Sequence, residues 1–187
     1  MRKTEIRKEY KFITDNQSES KHTIFIRKNY KKLYPSRKIT SLYFDTIDIK
    51  LYKKSLDLDI DKFKVRFRQY NNIGDIFKEI KLNLSDGRQK EIEKTNYKSL
   101  DEIKFFQYQG LNLFPIIKIF FDREYFYHEG VRVTIDTNLQ AKIDKFFNLA
   151  EPTYTSDKNI VEYKLNDSFK EHSSEISKRL LINESLS

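Results

Sequence analysis

The 187-residue chain contains no cysteine. That excludes a disulfide framework, a thiolate zinc site and a cysteine nucleophile, and it fits a reducing, cytoplasmic setting. Only four glycines and three prolines punctuate it, and no repeat, low-complexity tract or Pro/Gly linker interrupts it. No stretch approaches the ~18 apolar residues of a membrane span. The N-terminal MRKTEIRKEYKF also lacks the apolar core expected of a signal peptide. This length suggests one domain over residues 1–187, and a hydrophobic content of 38% is enough for a core.

What the chain has in abundance is charge. Lysine and arginine number 36 against 28 acids, for a net charge of +8. Such a balance points to an anionic partner: nucleic acid, a membrane surface or a phosphorylated small molecule.

The dominant pattern is period two, the signature of strands whose side chains alternate between faces. FKVRFRQY shows it best: Phe63, Val65 and Phe67 point one way, Lys64, Arg66 and Arg68 the other. The same alternation marks EIRKEYKFI, TSLYFDT, FKEIKLNL, GRQKEIEK, FFDREYFY, VRVTID and NIVEYKL. Ser85-Asp86-Gly87 and His128-Glu129-Gly130 read as turns between them. Eight strands result, mostly antiparallel by their short connections. Helices are expected through KHTIFIRKNYKKLY, capped by Ser18 or Ser20 and ended by Pro35, and through DIKLYKKSL, capped by Asp48. A third is expected from Ser99 to Gly110 and a fourth from about Ser168 to Leu181. The class is α+β, dominated by antiparallel sheet.

The polar strand faces carry Arg7, Glu9, Lys11, Lys64, Arg66, Arg68, Glu79, Lys81, Arg88, Lys90, Arg123, Arg132, Asp136, Glu162 and Lys164. Two arrangements fit. Either these faces are the wet outside of a twisted sheet, or helices cover the greasy faces and the polar ones line a closed eight-stranded barrel. In the second case, like charges ~6 Å apart repel by roughly 3 kcal/mol at an effective dielectric near 20. About ten facing cations then need water, acids or a bound anion. A triphosphate rod matches that demand, and arginine forks match phosphate oxygens. Glu9, Glu162 and Glu79 are hard oxygen donors suited to Mg²⁺ or Mn²⁺. For Glu79 an ion pair with a neighbouring arginine is favoured over metal binding, and Asp136 fits the orientation of Arg132 or the capping of a strand end.

RKEYK (7–11), SLYFDTIDIKLY (41–52), VRFR (65–68), EIK (79–81), DRE with VRVTIDTNL (122–139), VEYK (161–164) and ISK (176–178) occur in an ordered set. With that set the chain resembles the VTC domain, the polyphosphate polymerase branch of the triphosphate tunnel metalloenzymes. The resemblance implies an eight-stranded antiparallel tunnel with flanking helices and a C-terminal helix at one mouth. It implies transfer of the γ-phosphate of ATP to a polyphosphate chain with Mn²⁺ or Mg²⁺. Arg66, Arg68, Arg123, Arg132 and Lys81 would act on the transferring group and its neighbouring oxygens. Lys11, Lys90, Lys164, Ser177 and Lys178 would hold phosphate, and Glu162 with Glu9 the metal. Three positions depart from the family pattern: Arg7 replaces the first glutamate of an ExExK motif, Phe121 a tyrosine, and Glu175 a lysine.

Alternatives of other classes remain open at this level. Water in place of the acceptor makes an inorganic triphosphatase, and a degenerate tunnel makes a polyphosphate sensor. A nucleic-acid platform is disfavoured, because the aromatics share the apolar parity of the strands, opposite the arginines. ATP, triphosphate or polyphosphate are thus the expected partners, and a separate membrane protein is compatible with the chain. His22, His128 and His172 read as surface residues, and Phe25, Tyr30 and Tyr34 as core.

Overall fold

The structure, a computed structural model, describes residues 8–15, 20–56, 62–84, 87–143 and 153–165. Its elements in chain order are β1 (Lys8–Asp15), α1 (Lys21–Asn29), β2 (Lys31–Asp45), α2 (Lys50–Leu56), β3 (Lys62–Tyr70) and β4 (Ile76–Leu84). There follow β5 (Gly87–Lys94), a 3₁₀ turn (Leu100–Glu102), β6 (Phe106–Tyr108), β7 (Leu111–His128), β8 (Val131–Ile143), β9 (Thr153–Thr155) and β10 (Lys158–Leu165).

Hydrogen bonding links the strands in the order β1-β10-β8-β7-β2-β3-β4-β5, with β6 added to β7 and β9 to β8. The antiparallel, sheet-dominated α+β class is as expected. The eight-stranded barrel description holds approximately: the described residues form ten strands, and the order runs from β1 to β5 without a pairing between those two among the described residues. The expected C-terminal helix lies outside the described residues. No helix among them is long and apolar enough to cross a membrane.

Three segments behave differently from their local pattern. α1 stops at Asn29, and Pro35 lies inside β2 instead of ending a helix. Leu33 and Tyr34 continue the helical spacing of Ile26 and Tyr30, but proline biases its neighbours toward extended backbone, and β2 gains its ladder by starting early. The Ser99 hydroxyl caps only one 3₁₀ turn, and the aromatic Phe106–Tyr108 segment turns back as β6. Gly110, expected as a helix stop, instead shares a turn with Gln109, both at positive φ (74° and 47°); that is the geometry of a tight hairpin joining β6 to β7. Third, α2 is capped by Asp45, not Asp48. The Leu51 and Tyr52 N–H groups each donate to the Asp45 carboxylate at 2.8 Å, and Thr46 Oγ1 accepts from Lys50 N–H at 2.9 Å. Asp48 instead accepts from the Thr46 hydroxyl. Asp45→Ala is expected to cost about 1–2 kcal/mol in urea denaturation, and Asp45→Asn somewhat less, because its single amide oxygen still accepts on one side while its NH₂ cannot replace the other oxygen.

The chain divides into two compact units, each with its own core. One comprises Met1–Ser36, Arg123–Thr137 and Asp157–Ser187, the other Arg37–Asp122 and Asn138–Ser156. In the first, Ile26, Phe126, Val131, Val133, Ile135, Val161, Tyr163 and Leu165 pack together. In the second, Leu42, Phe44, Val65, Phe67, Ile80 and Leu82 form a cross-strand block with Leu51, Ile76, Leu100, Ile103 and Leu113. The registers Leu42↔Phe67 and Phe44↔Val65↔Ile80 hold the block. Because paired residues share a face, burying this set sends Ser41, Tyr43, Arg66, Arg68 and Glu79 to the opposite side.

Candidate phosphate-binding site

In the second unit the register aligns Tyr43, Arg66 and Glu79 in one row and Ser41 with Arg68 in the next. Arg66 donates from Nε (2.8 Å) and Nη2 (2.5 Å) to Glu79 Oε2, and from Nη1 to the Tyr43 hydroxyl at 2.9 Å. Lys90 Nζ lies 3.3 Å from the other oxygen, Glu79 Oε1. Glu79 is only 3% exposed. Burial pushes its carboxyl up, but the charges of Arg66 and Arg68 outweigh burial and hold it below the usual carboxylate range. The ammonium of Lys90 is pulled down by burial, which the attraction of Glu79 does not fully offset.

Arg68 is built differently. It is 5% exposed, donates from Nε to Ser41 Oγ at 2.9 Å, and has its guanidinium carbon 5.9 Å from the Phe121 ring centroid. Among the described residues no carboxylate lies within ion-pair distance of it. Burial and the neighbouring Arg66 charge push its pKa down. Three cations thus surround one acid, leaving positive charge for an external anion.

In the first unit, Arg123 donates from Nε and Nη2 to the two oxygens of Asp136, both at 2.5 Å. Asp136 therefore orients Arg123, not Arg132 as the sequence suggested: adjacent strands bring it to residue 123, whereas Arg132 faces Lys164 across the β8–β10 ladder. Lys164 Nζ bridges Glu9 (3.1 Å) and Glu162 (3.0 Å). Lys11 stands opposite Glu162 in the register. Burial pushes the Glu162 carboxyl up, and Lys164, Lys11 and Arg123 together bring it below its ordinary value.

Lys11, Lys64, Lys81, Lys90 and Arg132 are exposed residues on these faces. Arg7, Ser177, Lys178, Glu175 and His172 lie outside the described residues, as does the Arg88 side chain. Sequence reasoning gave no role to Ser41, Tyr43 or Thr134, although the parity of SLYFDT and VRVTID already set them on the polar faces. Some aromatic and histidine expectations are corrected. His22 is half-buried, stacked on Tyr163 at 5.7 Å and bonded to its hydroxyl. Phe25 is 48% exposed, since α1 buries only Thr23 and Ile26, and Tyr34, which lies in β2 and not on the helix, is 49% exposed.

The family model of the VTC domain matches residues 3–103 and 85–186. The chain belongs to the VTC domain family. No curated protein sequence matches this VTC domain. Solved structures do share its fold. A candidate adenylate cyclase from Bacillus halodurans superimposes with a TM-score of 0.57 at 14% identity, covering 98% of this chain and 91% of that one. A candidate adenylyl cyclase from Hippeastrum, reported to have a dominant triphosphatase activity, gives 0.55 at 13% identity over 97% and 88%. The PH1819 protein of Pyrococcus horikoshii gives 0.51 at 14% over 96% and 90%. At these identities the likeness is one of fold alone.

Proposed function

We propose that this VTC domain binds a linear phosphate polyanion and transfers the γ-phosphate of ATP to the end of a polyphosphate chain, in the cytoplasm. The observation that carries the reading is the buried Arg68, held by a hydroxyl and an aromatic face and lacking a carboxylate among the described residues. A buried guanidinium is costly unless paired, and a phosphate oxygen is a partner its fork matches.

The step has a terminal oxygen of the acceptor chain form a bond to the γ-phosphorus while the β–γ bridging P–O bond breaks, its electron pair leaving with ADP. Such transfer gains mainly from positioning and charge neutralisation. Arg66, Arg68, Arg123 and Arg132 keep the role the family resemblance implies, neutralising phosphate oxygens. Lys81 would polarise a neighbouring oxygen, and Lys11, Lys90 and Lys164 would hold phosphate. Ser177 and Lys178 keep the phosphate-holding role that the family resemblance implies.

Mn²⁺ or Mg²⁺ fits the donors present. Among the described residues no group of three or more His, Cys, Asp or Glu side chains could hold a metal, but Glu9 and Glu162 converge on one ammonium. One or two carboxylates, completed by substrate phosphates and water, is the usual Mg²⁺ arrangement. When bound, the ion would neutralise charge on phosphate oxygens.

Triphosphate hydrolysis is the second reading, favoured by the activity reported for the Hippeastrum protein of the same fold; water then takes the acceptor's place. Incubation with ATP and Mn²⁺, and separately with inorganic triphosphate, separates the outcomes on a gel. A ladder of long chains is expected. Orthophosphate release alone would replace the transferase reading with hydrolysis, and triphosphate binding without product would leave a sensor.

A further inference from the structure

From Ser20 to Phe44 the chain carries Lys21, Arg27, Lys28, Lys31, Lys32, Arg37 and Lys38 and no acid at all. The first unit holds this run up to Ser36, and α1 lies within it. The helix turns Thr23 and Ile26 inward. With about 3.6 residues per turn, Lys21, Phe25 and Lys28 stand at i, i+4 and i+7 and form one stripe on the opposite side. All three are exposed, and so is Lys31, which follows at the start of β2.

The needs of the fold do not account for this stripe. Lys21 stands in a first turn that has no acid, where the helix dipole disfavours a cation. Among the described residues no carboxylate forms an ion pair with Lys21, Lys28 or Lys31. The acids nearby are engaged: Glu124 by Arg27 at 2.6 Å and Lys32 at 3.8 Å, and Glu129 beside His128 at 3.7 Å. Phe25 meets Tyr30 in a T-shaped contact, and Tyr30 stacks on His128 with centroids 4.7 Å apart. The Phe25 ring is thus held on one side while about half of its surface faces outward.

Cations flanking a half-exposed aromatic ring suit a surface that is anionic at its face and apolar beneath. Headgroups take the ammoniums, the lysine stems lie along the apolar boundary, and the ring enters it. A single-stranded nucleic acid instead needs a basic groove with several rings along it. The outward side of α1 offers one ring on a convex ridge about 13.5 Å long. We propose that this face of α1, with the Lys31 that follows it, docks the protein on an anionic lipid surface. None of Lys21, Phe25, Lys28 and Lys31 belongs to the residues assigned to phosphate, so the proposal stands apart from the phosphoryl-transfer reading.

The test is flotation of the full chain with vesicles of phosphatidylcholine alone and of phosphatidylcholine with about one third phosphatidylserine. Binding to the anionic vesicles only is expected, and it should weaken as salt rises. Each lysine near such a surface is worth about five-fold in partitioning. Lys21→Gln, Lys28→Gln and Lys31→Gln together should therefore bind about 100-fold more weakly. Phe25→Ala should lose about five-fold, in a way that salt does not screen. These positions are exposed, so melting temperatures should match the parent's. Removing the same charge from the exposed Lys53, Lys98 and Lys104 as glutamines should cost less than about ten-fold, and Arg68→Met should bind vesicles as the parent does. No binding of the parent to anionic vesicles would overturn the proposal. An equal loss in the two triple variants would show that net charge acts and not this face. Loss in Arg68→Met would place the headgroups among the phosphate-binding residues, again against the proposal. Tighter binding of a single-stranded RNA than of the vesicles, abolished by the first triple variant, would give the face to nucleic acid instead.

Discussion

Glu79→Ala is expected to lower the unfolding free energy by about 3–5 kcal/mol, read from urea or guanidinium denaturation at neutral pH. Among the described residues Glu79 is the single carboxylate in ion-pair contact with Arg66 and Lys90, and it divides its oxygens between them. Deleting it leaves two buried guanidiniums beside each other without compensation. The Arg66 row opposite Tyr43 would have only a phenol left to accept its protons. The same carboxylate makes the protein acid-sensitive. Its folded pKa is depressed, so its contribution is complete above the unfolded value of about 4.3 and is lost as pH falls through the lower folded value. Glu162, also depressed, acts in the same direction. Glu79→Gln should therefore show a shallower loss of stability between neutral pH and about pH 3 than the parent. An equally steep loss would mean that other carboxylates dominate acid unfolding. A cost below about 1 kcal/mol for Glu79→Ala would mean that water satisfies the cations.

Arg68→Met is expected to separate binding from stability in the opposite way. Arg68 has no carboxylate within ion-pair distance among the described residues, so removing its charge strands no acid, and methionine refills most of the volume. Its removal also relieves the Arg66 repulsion that, with burial, depresses its pKa. Stability should stay within about 1 kcal/mol of the parent. Triphosphate affinity, measured by calorimetry, should fall about 10- to 100-fold, the worth of one charged hydrogen-bonded contact. Unchanged affinity would remove Arg68 from the binding site, and unfolding of the variant would show that its role is structural. Ser41→Ala probes the support of that guanidinium: it should weaken triphosphate binding by less than Arg68→Met does, because the charge remains and only its orientation loosens.

Much of this was legible locally. FKVRFRQY, FKEIKLNL and VRVTID declare two faces by alternation alone, since a pleated backbone leaves no other choice for successive side chains. Burial of Val65, Phe67, Ile80, Val133 and Ile135 follows. The wrong helix over Ser99 to Gly110 shows where local reading fails. A capping serine and a terminal glycine fit either a helix or a turn followed by a hairpin, and packing of Phe106 and Tyr108 against the second core selects the latter. The exposure of Phe25 and Tyr34 has a similar origin: apolar spacing says which residues can share a stripe, not whether anything covers it.

By itself, then, the amino-acid sequence determined the strand class, the charge of each face, the absence of thiol chemistry and the family. Tertiary structure alone decided who meets whom. Asp136 meets Arg123 and not Arg132, Glu79 serves Arg66 and Lys90 together, Lys164 joins Glu9 to Glu162, and Arg68 is left to a serine. Alternation is a property of a few consecutive residues, whereas these partnerships depend on register between strands up to about 150 positions apart in the chain, and a slip of one residue would exchange every one of them.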